Sequence, residues 1–279
     1  MRHSVGGTNA LCLAMPDAAQ QSRQNTRRSL VASESILAEE IIARPELPPS
    51  GVTTRRQLAI TYSGAFEFQV GRSASWVDPT RLLFVEPDQG FVDHHIVPGV
   101  GHRSVILSPD ESVLDELCAN SAAAFSDRLR ACPLNVQMFV QLLRRSTDDL
   151  ASEELGLAIL VAGLGEPRRV SIDDPACVRK AKALLHDGDE PRRTLTDIAN
   201  AVGVTAIHLT QAFKRSEGQP LYRYQTQLRL GRALAELPES DDITDLALDL
   251  GYSSHSHFTA AFRAALGMTP SAYRGSTRP

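Results

Sequence analysis

The 279-residue sequence predicts an α+β chain, β-rich in its first half and all-α towards its end. Three observations carry that prediction. Runs such as LAITYSGAFEFQVG and RLLFVEPDQGFVDHHIV look like short strands separated by Gly, Pro and Asp turns. The final third instead spaces its apolar residues at helical intervals. Within that third, one helical segment occurs twice. The length exceeds that of a typical single domain, so two domains are expected.

Residues 1–30, rich in Gln, Ser, Asn and Arg, are expected to be disordered. From residue 31 the short strands suit a small barrel or jelly roll. Ser112–Arg130, Leu134–Arg145 and Ser152–Leu164 then read as helices that extend this domain to residue 166. The apolar LGLAILVAGL at 155–164 reads as core rather than as a dimer contact. At ten residues it is also far short of the roughly 20 that a membrane-spanning helix needs. Only Ala10–Met15 follows Arg2, too little for a secretory hydrophobic region, so a cytoplasmic protein with no membrane partner is expected. Cys12, Cys118, Cys132 and Cys177 show no CxxC spacing and read as reduced thiols.

Asp93, His94, His95 and His102 are the one constellation of the β-rich half with possible chemistry. In a strand Phe91, Asp93, His95 and Val97 share one face and Val92, His94 and Ile96 the other, so the adjacent histidines diverge. His94, His95 and His102 are candidate contacts for a small ligand. No HxH followed by a spaced Glu and His is visible, and no metal or other cofactor is assigned. The sequence has no GxSxG, P-loop or dinucleotide fingerprint, and no catalytic residue is assigned.

SIDDPACVRKAKALLH opens a second domain over 173–275, where the repeat lies. Leu195, Thr196, Asp197, Ile198, Ala199 and Gly203 match Ile243, Thr244, Asp245, Leu246, Ala247 and Gly251 at an offset of 48. After the glycine the offset is 49, and His208, Leu209, Ala212, Phe213, Gly218 and Tyr224 match His257, Phe258, Ala261, Phe262, Gly267 and Tyr273. Each copy reads as helix, turn, helix, with the glycine supplying the backbone freedom of a tight turn. In the second helix of each copy Leu209, Ala212, Phe213 and Ser216, or Phe258, Ala261, Phe262 and Ala265, face the core. The opposite side collects Ile207, Thr210, Gln211 and Lys214, or Ser256, Thr259, Ala260 and Arg263, a surface able to read base edges. His255 and His257, two apart on a helix, point about 200° apart and cannot share a metal there. Between the copies Leu221, Tyr224, Leu228 and Ala235 form one apolar stripe, and Leu230, Ala233, Leu234 and Leu237 another. The helix carrying them, roughly 26 Å long at about 1.5 Å per residue, would hold the units at a separation suited to successive major grooves.

Charge agrees in sign. From residue 167 onward 15 Lys and Arg stand against 13 Asp and Glu, whereas residues 1–166 carry 14 against 20. The second domain is the one better suited to a polyanion.

The stretches IANAVGVTAIHLTQAFKRSEGQPLYRY and ALDLGYSSHSHFTAAFRAALGMTPSAYR resemble the DNA-binding domain of the AraC/XylS-type bacterial transcription regulators. The resemblance implies a non-enzymatic, sequence-specific regulator that puts two recognition helices into double-stranded DNA. It places base contacts on Ile207, Thr210, Gln211 and Lys214, and on His255, Ser256, Thr259 and Ala260. His208 and His257 occupy one repeat position and suit a scaffold or phosphate role, and Arg263 a phosphate or guanine. Ala260 departs from the family pattern, since a methyl group can touch only a thymine methyl. The resemblance further implies a cupin-like sensing domain over 31–166, a small-molecule effector, RNA polymerase as a partner and a homodimer. The competing reading is a cupin-like metalloenzyme with an appended helical domain.

Overall fold

The computed structural model describes residues 25–118, 121–165, 170–187 and 193–277. The disorder expected for residues 1–24 and the thiol of Cys12 lie outside them. In chain order the strands are β1 (Thr26–Ala32), β2 (Ile36–Ala43), β3 (Ser50–Val52), β4 (Gln57–Ser63), β5 (Phe66–Val70), β6 (Ser73–Val77), β7 (Arg81–Val85), β8 (Gly90–His95), β9 (His102–Pro109) and β10 (Leu129–Ala131). They form two antiparallel sheets, one ordered β1-β2-β9-β4-β7-β10 and the other β3-β8-β5-β6. Strand β1 lies partly within the stretch expected to be disordered, and it pairs with β2 through Thr26 to Ala32. Pairing supplies the backbone partners that its polar composition did not suggest.

The run RLLFV of β7 is buried on both faces, as a central strand requires. Leu82 and Phe84 join a core with Leu58, Val105 and the helices, while Leu83 and Val85 meet Ala59, Phe66 and Phe68 on the side of the second sheet.

The single helix expected over Ser112–Arg130 is instead α1 (Glu111–Leu117), α2 (Ser121–Phe125) and strand β10. Leu129, Arg130 and Ala131 pair with Leu83, Leu82 and Arg81 on the sheet edge, and the Arg130 guanidinium lies 4.4 Å from the Phe84 ring centre. Edge pairing with a buried strand wins over local helical preference here. The next two helices, α3 (Leu134–Arg145) and α4 (Asp149–Leu164), fall where the periodicity puts them. Helix α4 seats LGLAILVAGL in the core: Ile159 and Leu160 are fully buried. A Cβ at Gly156 would stand 3.3 Å from Ile36, and one at Gly163 3.0 Å from Leu58, so the glycines admit the sheet.

Seven helices complete the described chain: α5 (Ala176–His186), α6 (Leu195–Val202), α7 (Ala206–Glu217), α8 (Leu221–Glu236), α9 (Ile243–Asp249), α10 (His255–Leu266) and α11 (Pro270–Thr277). Thr194 and Asp197 form a capping box at the start of α6. Gly203 and Gly251 sit at φ 77° and 82°, the left-handed region that the two turns need. Helix α8 is shared as its two stripes predict, except that Ala235 is not part of the first unit's core. Leu221, Tyr224 and Leu228 pack with α6 and α7, whereas Leu230, Ala233, Leu234 and Leu237 pack with α9 and α10. Ala265, expected in the core, is exposed one residue before α10 ends, and the half-buried Leu266 packs there instead. Among the described residues no helix is long and apolar enough to cross a membrane.

Candidate nucleic-acid interface and ligand cavity

Two helices present the proposed reading faces. Thr205 and Ser254 cap α7 and α10, each accepting from the backbone N–H three residues on, at His208 and His257, over 3.2 Å. The caps fix the same start for both helices, so His208 and His257 hold one structural position, and both side chains are exposed. Leu209, Ala212 and Phe213 anchor α7, and Phe258 and Phe262 anchor α10. This leaves Ile207, Thr210, Gln211 and Lys214 outward on α7, Ile207 at 72 % exposure. On α10 His255, Ser256, Ala260 and Arg263 are outward. Thr259 is only half-buried, but its hydroxyl oxygen is shielded from solvent, so it is the one proposed reader whose polar atom is not presented. The Thr210 hydroxyl donates to the Ala206 carbonyl at 2.8 Å, leaving its lone pairs as acceptors.

The ligand candidates separate. A cavity of ≈ 740 Å³ opens in the β-rich half, lined among others by Ile41, Ala59, Phe66, Phe68, Leu83, Phe91, Asp93 and His102. His102 lines it, stacked on Phe66 at 3.9 Å between ring centres. His95 backs it, its Nε2 3.0 Å from His102 Nδ1. His94 points elsewhere, exposed and hydrogen-bonded to Gln69 at 2.7 Å, so alternation removes it from this group. Asp93, on the inward face with Phe91, takes its place.

Asp93 Oδ2 lies 3.6 Å from His102 Nε2, beyond hydrogen-bond length, and Oδ1 has no partner among the described residues. Burial pushes the Asp93 carboxyl up to about 8, and burial together with nearby His95 lowers His102 to about 3. Both groups are therefore neutral near pH 7. The signs oppose: the His102 contribution grows as pH rises from about 3 to 6.5, while that of Asp93 falls from about 4 to 8. Between about pH 6.5 and 8 Asp93 acts alone. Asp93→Asn should raise the melting temperature over the native protein by an amount that grows across that window and then levels off. A pH-independent difference would show that Asp93 is not neutral in the fold.

A third cluster joins the halves, and nothing in the local sequence announces it. Arg81 on β7 is fully buried and reaches Asp174, at 3.2 Å, and Glu217 at the end of α7. Lys182 of α5 pairs with the same two carboxylates, 2.6 Å from Asp174. Ser216 donates to Asp174 as well. Beside them Asp78 accepts from Trp76 Nε1 at 2.6 Å and from the Tyr224 hydroxyl of α8, with His186 Nε2 at 3.5 Å. Burial raises the Asp174 carboxyl, but Arg81 and Lys182 outweigh it and hold the group below the usual carboxylate range. At the second unit Arg145 of α3 donates to the Ala235 carbonyl at 3.2 Å, and Leu134 and Met138 pack on its core.

The comparisons follow this division. Residues 198–276 match a family described as a helix-turn-helix domain. An AraC-like transcription regulator of Streptomyces antibioticus is 27 % identical over 186 residues, covering 66 % of this chain and 56 % of that protein. The transcriptional activator AarP of Providencia stuartii is 37 % identical over 84 residues, 30 % of this chain and 62 % of that one. The chain thus spans little more than half the length of these curated relatives. A solved AraC-type DNA-binding-domain protein from Chromobacterium violaceum is 30 % identical, covering 36 % of this chain and 91 % of that one, with a TM-score of 0.34. ToxT of Vibrio cholerae is 12 % identical over 88 % of this chain and 99 % of that one, with a TM-score of 0.37. Residues 198–276 thus form a helix-turn-helix domain similar to those of the AraC-like transcription regulators.

Proposed function

We propose that the chain is a cytoplasmic, non-enzymatic regulator of transcription that reads duplex DNA through residues 173–275 and senses a small-molecule effector with residues 31–166. The observation that carries the reading is the pair of matched, outward faces on α7 and α10, capped alike and joined by a helix packed into both units. On these faces Lys214 and Arg263 contact phosphate or guanine, Thr210, Gln211, His255 and Ser256 read bases, and His208 and His257 lie against the backbone. RNA polymerase and a second copy of the chain are the further partners of this reading.

Strand β7 supports a coupling between the two halves. Leu83 and Val85 line the cavity, and Arg81, on the same face, ends in the ion cluster with Glu217 of α7. An effector that shifts β7 by a fraction of an ångström disturbs a buried cluster tied to a recognition helix.

Selection from a randomised duplex pool at two salt concentrations tests the function. A motif of two blocks about ten base pairs apart is expected; weak binding that vanishes with salt and yields no motif would sink the reading. Gln211→Ala should relax preference at one or two base pairs, costing about 1–3 kcal/mol there. An unchanged motif in that variant would remove Gln211 from the reading set.

A further inference from the structure

The cavity's charge is one-sided. Asp93 is the acid among the residues lining it, buried at 5 % exposure, with one carboxyl oxygen facing no partner among the described residues. Arg27 is the cation at the lining, and its guanidinium is committed to Glu39 at 2.9 Å. A carboxylate here would lack a counter-charge, so the carboxyl rests protonated, and a ligand that brings a positive charge and N–H donors supplies what its ionised form is missing. The rest of the lining favours the same kind of molecule. Phe66, Phe68 and Phe91 present rings, with Phe68 and Phe91 stacked at 5.2 Å, and ring faces attract an ammonium group. The volume of ≈ 740 Å³ is large enough for an apolar body beyond the charged head.

We infer that the effector cavity takes an organic ammonium ion, its N–H groups donating to Asp93 and its apolar body lying among the aromatic rings. This rests on the effector reading given above and narrows it to a ligand class. Binding is a proton exchange. The neutral Asp93 carboxyl loses its proton to solvent as the ammonium docks, the carboxylate and ammonium pair, and no bond of the ligand breaks. His102, which is buried, and His95, which is half-buried, stay neutral, because desolvation holds both below the ordinary imidazole range and the new charge pair is already balanced.

Calorimetry on the full chain at pH 7 distinguishes the possibilities with three probes of one shape: 2-phenylethylamine, 2-phenylethanol and 3-phenylpropionate. The amine is expected to bind roughly tenfold or more tightly than the alcohol, a difference of about 1.4 kcal/mol. Repeating the titration in buffers of different ionisation heat should show release of close to one proton. Asp93→Asn should abolish both the amine preference and the proton release while retaining binding of the alcohol. Equal binding of alcohol or carboxylate, lost when Ala59→Phe fills the cavity, overturns the ammonium class and leaves the effector cavity standing. Absence of binding by all three probes and by a series of straight-chain alkylamines, in protein that still selects a DNA motif, overturns the ammonium proposal and the effector reading together.

Discussion

Arg81→Met is expected to destabilise the folded chain by about 3–5 kcal/mol, the range for removing one partner of a buried ion cluster. The guanidinium is fully buried and shared by Asp174 and Glu217, with the Trp76 carbonyl accepting a third bond at 2.9 Å. Methionine replaces much of the volume but none of the charge. Lys182 would then face both carboxylates alone, with Asp78 close by. Stranded carboxylates must take up protons or admit water, and either loosens β7 from α5 and α7. Because α7 carries the first of the proposed reading faces, DNA affinity should fall at temperatures well below unfolding. Adding Glu217→Gln removes one stranded charge and should recover at least about 1 kcal/mol, a coupling of the size found between groups in contact. Denaturant unfolding of the native chain, the single variant and the double variant measures all three. A loss under about 1 kcal/mol for Arg81→Met would mean that the cluster's attraction only matches its desolvation cost.

Phe262→Ala should cost about 3–5 kcal/mol, the range for removing a buried aromatic ring, and should fall on the second helix-turn-helix unit. Phe262 is fully buried between Phe258 and Tyr273, with ring centres 5.7 Å and 5.9 Å away. The Tyr273 contact and the surrounding core fix α10 against α8 and α11, and Phe258 is left as the one other buried aromatic ring by which α10 is held. The variant should lose the second block of its DNA motif before the first. Ala265→Ser provides the contrast: the position is exposed, and a change within about 0.5 kcal/mol is expected. Thermal unfolding of the two variants checks the helix face directly. Retained stability in Phe262→Ala would place the ring outside the core.

The helix-turn-helix domain was almost fully legible because each of its signals is local. The helical period placed Leu209, Phe213, Phe258 and Phe262 inward, Gly203 and Gly251 marked the turns, and an offset that changes only from 48 to 49 after the glycine tied the copies together. Ala265 failed for a local reason as well: the helix ends one residue later, and periodicity does not report where packing stops. In the β-rich half short runs between Gly, Pro and Asp turns marked the strands, and alternation separated His94 from His95. It could not say that residues 129–131 leave a helical pattern to pair with β7, because pairing depends on a partner more than 40 residues away in sequence.

By itself, then, the sequence determined the fold class of the chain, its two helix-turn-helix units and most of the residues that their second helices turn outward. Tertiary structure alone decided that Asp93 and His102 share a cavity, and that Arg81 meets Asp174 and Glu217, residues 93 and 136 positions further along the chain. Periodicity is a property of neighbours along one element, whereas charge pairing and desolvation act through space, between elements whose spacing in sequence carries no information about their contact.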